Sequence, residues 1–251
     1  MLTALMSISL LGCANTKATE NAQITKSEYS IKNISGEELE KIQQEKTEEY
    51  LIIDVRDKVS YEKGHLTDAI NIETKDIAKN VEPIVKWRKK QVVVYANTQK
   101  ESKEATEKFQ KQGFKNILNA QGMEEYKNYK LVSYTNLIGA KFQDAIWEES
   151  GQFFDGRDKT DFDGSSVKNA KNYDANNLET LASLLPQDKQ IPVYFYSYKG
   201  EDSKKAAEKA IELGYKNVYN ALVGTKEFNY KYELAECCLP ENKNHEKGQN
   251  H

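Results

Sequence analysis

Chemistry in this sequence is most expected in two polar loops, each of which follows an apolar run and precedes a helical pattern. The apolar runs are Val92 to Tyr95 and Val193 to Tyr196, and the loops begin at Ala96 and Ser197. In α/β proteins such a loop places a nucleophile at a strand end and directs backbone N–H groups and a helix N-terminus at an anion. Ala96 has no nucleophilic atom and Ser197 has only a hydroxyl.

A serine nucleophile needs an adjacent base that is held by a third group. His65 is the only histidine near the folded halves of the chain, because His245 and His251 lie close to its C-terminal end. We therefore predict that Ser197 is a helix-capping residue or a polar plug and that His65 is a hydrogen-bonded structural residue. No His/Cys spacing typical of a metal site occurs, and no cofactor is expected.

Two carboxylates flank an arginine at Asp54, Arg56 and Asp57. An acid/base pair is one interpretation, but we favour an arginine that bridges both carboxylates and fastens the strand end to the next loop. The same pattern recurs at Asp155, Arg157 and Asp158.

This recurrence is one part of an internal repeat with an offset of 101 residues. The offset also relates Ala69 to Ala170, Ser102 to Ser203 and Gly113 to Gly214. A register held over so many separated matches indicates a tandem duplication. We predict two units, residues 30–131 and 132–236.

Each unit shows strands that alternate with helices. In the first, Ser35 and Glu38 form a predicted capping box, and two apolar runs of strand length precede Asp54 and Ala96. Gly113 is placed to end the following helix. The alternation predicts an α/β fold in which each unit is a mainly parallel sheet with helices on both faces.

The composition excludes several classes of protein. The 251 residues include 38% hydrophobic and 30% charged residues, and the net charge is -3. No basic stripe indicates nucleic acid, so no nucleic-acid partner is expected. Three cysteines are too few for a disulfide-stapled fold.

The ordered motifs resemble the rhodanese-like domain, present twice. In the first unit they are Asp54-Val55-Arg56, Gly64-His65-Leu66, Ala69-Ile70-Asn71, the strand before Ala96, and Gly113-Phe114 with Gly122; the second unit is more eroded. The resemblance implies sulfur transfer by a cysteine after the central strand, with an arginine late in the loop. It places the nucleophile at Ala96 and Ser197, and the arginine at Glu101 and Asp202. Both catalytic groups are thus replaced, and we predict vestigial sites without sulfurtransferase activity.

The N-terminus resembles a bacterial lipoprotein signal. Residues 1–12 are mostly apolar and precede Cys13 in Leu-Leu-Gly-Cys, although they contain no Lys or Arg. The apolar stretch is too short to span a bilayer and is typical of a signal peptide. We predict lipidation at Cys13, a polar tether over residues 13–29, and a location in the bacterial cell envelope, periplasmic or at the surface.

Cys237 and Cys238 begin a polar C-terminal segment, residues 237–251. The function predicted first is a binding or scaffold module for an unknown protein or small ligand, with the cleft between the units and the tips of the two loops as candidate contact surfaces. The alternative is a sulfurtransferase or thiol-redox relay in which Cys237 or Cys238 supplies the missing thiol. A third possibility is a ligand in the emptied loop, where Lys100 or Lys199 replaces the lost positive charge.

Overall fold

The computed structural model describes residues 31–45 and 49–232. The first unit contains strands β1 to β6 and helices α1 to α4, with 3₁₀ segments at Thr74–Asp76 and Glu82–Lys89. In chain order the elements are β1 (Lys32–Ile34), α1 (Gly36–Ile42), β2 (Tyr50–Asp54), α2 (Lys58–Lys63), β3 (His65–Leu66), β4 (Ala69–Asn71), α3 (Ile77–Asn80), β5 (Gln91–Tyr95), α4 (Gln99–Lys111) and β6 (Asn116–Ala120).

The second unit begins with a short strand and then repeats this order without a counterpart of β3. Its elements are β7 (Leu131–Val132), β8 (Thr135–Leu137), α5 (Gly139–Trp147), β9 (Gln152–Asp155), α6 (Lys159–Gly164), β10 (Lys171–Asn172), a 3₁₀ turn (Leu178–Thr180), α7 (Leu181–Leu184), β11 (Val193–Tyr196), α8 (Gly200–Glu212) and β12 (Val218–Ala221).

Each unit has one five-stranded parallel sheet. The strand orders are β1-β6-β5-β2-β4 and β10-β9-β11-β12-β8. Because β2 is buried at every position, its side chains alternate between two apolar layers. Leu51 and Ile53 pack in the cluster that holds Phe109 of α4, whereas Ile52 packs in the cluster that holds Leu39 of α1. Helices thus cover both faces, and the predicted fold class is confirmed.

The second unit builds its layers from aromatic rings. Tyr194 of β11 stacks on Phe153 with ring centroids 4.8 Å apart and on Tyr219 at 4.6 Å. Phe142 of α5 meets Phe153 and Tyr194 edge-on. Phe153 and Tyr194 occupy the positions of Ile52 and Val93 in the first unit, so aromatic rings replace aliphatic side chains there.

The predicted helix boundaries are confirmed at both ends. Ser35 Oγ accepts the Glu38 N–H at 3.2 Å, and the Glu38 carboxylate accepts the Ser35 N–H at 2.9 Å. Gly113 and Gly214 both have φ of 89°, the left-handed conformation that ends α4 and α8.

The two units are joined by polar contacts between their sheet edges. Strand β7 pairs antiparallel with β3, so the start of the second half completes a small sheet with the first. The Asn136 side chain of β8 donates to the carbonyls of Thr67 at 2.7 Å and Ala69 at 3.1 Å. The Lys204 ammonium of α8 pairs with Asp68, and both side chains are largely buried. These contacts fix one unit against the other.

Within residues 31–45 and 49–232, no helix has the length and hydropathy needed to cross a bilayer. The predicted signal and tether, residues 1–29, lie outside the described residues, as do Cys237 and Cys238.

Candidate functional site

An arginine forms an ion pair with the aspartate that ends strand β2, and a second arginine does the same at the end of strand β9. Arg56 Nε lies 3.0 Å from Asp54 Oδ1, and its Nη2 lies 2.6 Å from Asp54 Oδ2 and 2.7 Å from the carbonyl oxygen of Gly64. The Asp54 side chain is fully buried, and Arg56 is 8% exposed. The arrangement ties the strand end to the turn after α2, as expected of a structural arginine. The second unit repeats it with Arg157, Asp155 and Ser165.

The second carboxylate of the first predicted bridge, Asp57, has a different role. Asp57 caps α2, because its side chain accepts the Ser60 N–H at 2.9 Å and the Ser60 hydroxyl at 2.7 Å. The prediction that Arg56 bridges both carboxylates is therefore wrong in this detail. The Arg56 donors are bonded to Asp54 and to the Gly64 carbonyl, while the Asp57 carboxylate accepts the otherwise unpaired Ser60 N–H at the start of α2.

His65 is a buried structural residue, as predicted. Its ring is fully buried and stacks on Tyr61 with centroids 3.6 Å apart, and its Nδ1 lies 2.8 Å from the Tyr61 carbonyl oxygen. Tyr134 of the second unit meets the ring edge-on. Burial lowers the pKa of His65 to about 4, because the charged form is poorly solvated there. In the described part of the chain no cluster of three His, Cys, Asp or Glu residues could hold a metal ion.

Ala96 and Ser197 lie where the sequence placed them, directly after β5 and β11. Ala96 is 3% exposed and Ser197 is 1% exposed. The Ala96 carbonyl accepts the Met123 N–H at 3.0 Å, and the Ser197 carbonyl accepts the Thr225 N–H at 2.9 Å. Ser197 caps no helix, because the cap of α8 is Lys199. It is therefore a packing residue of the strand end.

Glu101 and Asp202 both turn back onto the amide at the start of their helix. Glu101 accepts the Thr98 N–H at 3.3 Å while its own N–H donates to Thr98 Oγ1 at 3.2 Å, a capping box. Asp202 accepts the Lys199 N–H at 3.2 Å. Each carboxylate thus accepts a hydrogen bond from a backbone N–H at the helix start that an anionic ligand would otherwise bind. Lys100 and Lys199 are both exposed.

Sequence reasoning missed a second carboxylate at each site. Glu125 Oε2 accepts the N–H of Gln99, the first residue of α4, at 2.8 Å, and also the Gly122 N–H at 2.8 Å. The corresponding Glu227 Oε2 accepts the N–H groups of Gly200 and Gly224. The signal was present as a Gly-x-x-Glu pattern repeated at an offset of 102 residues, one more than the main register.

Gly122 and Gly224 allow close backbone contact with the loops that follow β5 and β11. A Cβ on Gly122 would lie 2.2 Å from the Asn97 carbonyl oxygen, and one on Gly224 would lie 2.3 Å from the Lys199 nitrogen. Only glycine fits at these two positions, and the loop, the glycine and the glutamate therefore pack together as one compact structure at each strand end. At both strand ends the helix N-terminus is occupied by carboxylates of the protein itself.

An open cleft of about 990 Å³ lies beside the second strand end. Its walls include Arg157, Tyr198, Lys226 and Tyr232. A hydrogen bond to Asp161 raises the pKa of Tyr198 to about 12, since the carboxylate disfavours a second negative charge.

The chain belongs to the rhodanese-like domain family. The family's sequence profile matches twice, at residues 35–129 and 140–231. The two matches coincide with the two parallel sheets.

Similar proteins include a probable molybdopterin-synthase adenylyltransferase of Porphyra purpurea, which is 29% identical over 123 residues; the match covers 49% of this chain and 30% of that protein. A thiosulfate sulfurtransferase of Pseudomonas aeruginosa is 15% identical, with a TM-score of 0.37 and coverage of 78% of this chain and 41% of that one. A rhodanese with anions from E. coli is 29% identical, with a TM-score of 0.31. That match covers 33% of this chain and 96% of the E. coli chain. This chain spans about a third of the curated relative and less than half of the first of these structures.

Proposed function

We propose that this protein is a non-catalytic binding module built from two degenerate rhodanese-like domains. The observation that carries the proposal is the double occupation of each helix start, by Glu101 and Glu125 in the first unit and by Asp202 and Glu227 in the second.

Both the nucleophile and the charge of these loops oppose sulfur transfer. Sulfur transfer stores a sulfane sulfur on a thiolate, and neither an alanine methyl group nor a serine hydroxyl forms a persulfide. In each loop two backbone N–H groups that could stabilise a thiolate already donate to carboxylates: those of Thr98 and Gln99 in the first unit, and those of Lys199 and Gly200 in the second. A thiolate or sulfur oxyanion would have to displace a negative charge and also lie beside it.

The test restores the missing groups one at a time. The unaltered chain, incubated with thiosulfate and then cyanide, should form no one-sulfur adduct by intact mass and no thiocyanate. Ala96→Cys alone should gain little. Ala96→Cys/Glu101→Arg/Glu125→Ala should gain an adduct at residue 96, because the thiolate then meets an unoccupied helix N-terminus and a cation. A matched set at Ser197, Asp202 and Glu227 should behave alike.

Turnover by the unaltered chain would contradict the proposal. If that turnover disappeared in Cys237→Ser/Cys238→Ser, the thiol-relay alternative would be correct. Equal adduct formation by Ala96→Cys and the triple variant would show that the carboxylates do not suppress thiolate chemistry.

We also propose that the protein is exported and held on a membrane of the bacterial cell envelope by a lipid on Cys13. The Leu-Leu-Gly-Cys sequence and the polar residues after it support this. A Cys13→Ala variant should move from the membrane fraction to the soluble fraction, whereas a Cys237→Ala variant should stay with the membrane. Retention of Cys13→Ala on membranes would refute lipid anchoring through that residue.

A further inference from the structure

A recess of about 540 Å³ lies between the two units, away from both strand-end loops. Its floor is apolar: Ile70 and Ile72 come from the first unit, and Leu137 and Ile138 from the second. The exposed fractions of Ile70, Ile72 and Ile138 are 6%, 5% and 8%. The volume lies within the range of about 300 to 1,000 Å³ that is usual for small-molecule sites, which often form at domain interfaces.

The polar atoms of the inner wall are bonded within the protein. The Tyr61 hydroxyl donates to the Ala69 carbonyl at 2.9 Å, and the Asn71 amide donates to the carbonyls of Asp54 and Arg56. The Asn136 amide is held by the Thr67 and Ala69 carbonyls. The interior therefore offers mainly apolar contact to a ligand.

Positively and negatively charged side chains lie at the rim of the recess. Lys58 is paired with Glu62 at 3.5 Å, and Lys141 with Asp144 at 3.1 Å. Lys79 and Glu82 also line the recess. Within residues 31–45 and 49–232, neither Lys79 nor Glu82 has an oppositely charged side chain within the ion-pair distance of 4.0 Å. An uncompensated cation and anion beside one apolar recess complement a zwitterion with an apolar body.

We propose that this recess binds a short peptide with apolar side chains and free termini. The side chains occupy the floor, the terminal carboxylate lies at Lys79, and the terminal ammonium lies at Glu82. The inference gives a ligand class to the proposed binding role and rests on that role.

The experiment is a calorimetric titration of the full chain with three probes at low salt: Leu-Leu, N-acetyl-Leu-Leu and Leu-Leu amide. Leu-Leu should bind most tightly, because it alone has both charged ends. Lys79→Gln should weaken binding of Leu-Leu and N-acetyl-Leu-Leu by about two- to fivefold, the range for an exposed ion pair, and should not change binding of the amide. Glu82→Gln should weaken binding of Leu-Leu and the amide only.

Two further variants make the test specific. Lys216→Gln, at an exposed lysine that does not line the recess, should leave all three affinities unchanged. Thr135→Trp, which fills the recess from β8, should lower the Leu-Leu affinity more than tenfold.

The proposal is overturned if Leu-Leu does not bind, if Lys79→Gln weakens all three probes equally, or if Thr135→Trp binds Leu-Leu normally. These failures differ from failure of the proposed function, which the thiosulfate assay detects independently of any peptide. Because Lys79 and Glu82 are exposed, their variants test the proposal even if Thr135→Trp does not fold.

Discussion

Asn136 is expected to be the residue on which docking of the two units depends most. Its buried side chain makes three hydrogen bonds: two to the Thr67 and Ala69 carbonyls of the first unit, and one from the Asn220 amide at 3.1 Å. A hydrogen bond contributes about 1 kcal/mol net, so Asn136→Ala should lower the free energy of unfolding by about 3 kcal/mol. For a chain of this size the melting temperature should then fall by about 6 to 12 °C.

The repeat supplies a matched control in Asn33 of β1, which occupies the same sheet position in the first unit. Its side-chain oxygen accepts the Asn119 amide at 3.0 Å, but the residue is exposed. Asn33→Ala should cost about 1 kcal/mol or less, because one hydrogen bond at the surface is lost.

Urea unfolding measures the difference. In a Trp147→Phe background, Trp87 is the only tryptophan, so fluorescence reports the first unit while circular dichroism reports both. The two transitions should coincide with Asn136 in place and separate in Asn136→Ala. Equal destabilisation by Asn33→Ala and Asn136→Ala would refute the reasoning, since the contacts across the units would then contribute nothing measurable.

Two more outcomes follow from the buried ring and the close-packed loop. The pKa of His65 falls from 6.5 to about 4 on folding. As the pH falls, His65 is protonated in the unfolded chain before it is protonated in the folded chain, so the free energy of unfolding present above pH about 6.5 should decline by about 3 kcal/mol by pH about 4. Urea titrations should therefore show that the stability difference between the native chain and His65→Gln shrinks over that interval. A difference that stays constant with pH would contradict this prediction. Gly122→Ala should destabilise by more than 2 kcal/mol because its Cβ would overlap the Asn97 carbonyl, whereas Gly164→Ala, which has open space, should stay within about 0.5 kcal/mol by thermal melting.

The sequence alone determined the fold class and much of the local structure. The apolar run at β2 and the Ser35 capping box depend on nearest neighbours along the chain, and the 101-residue repeat required no coordinates. The fully buried pattern of β2 and the positive φ of Gly113 follow from these local rules.

The tertiary structure decided which partners each polar group meets. Glu125 lies 26 residues from Gln99, and Asn136 lies 69 residues from Thr67, so neither contact could be read from local spacing. Folding satisfies buried donors with whichever acceptor the topology brings near. The second carboxylate at each helix start, Glu125 or Glu227, was therefore placed there by the tertiary structure.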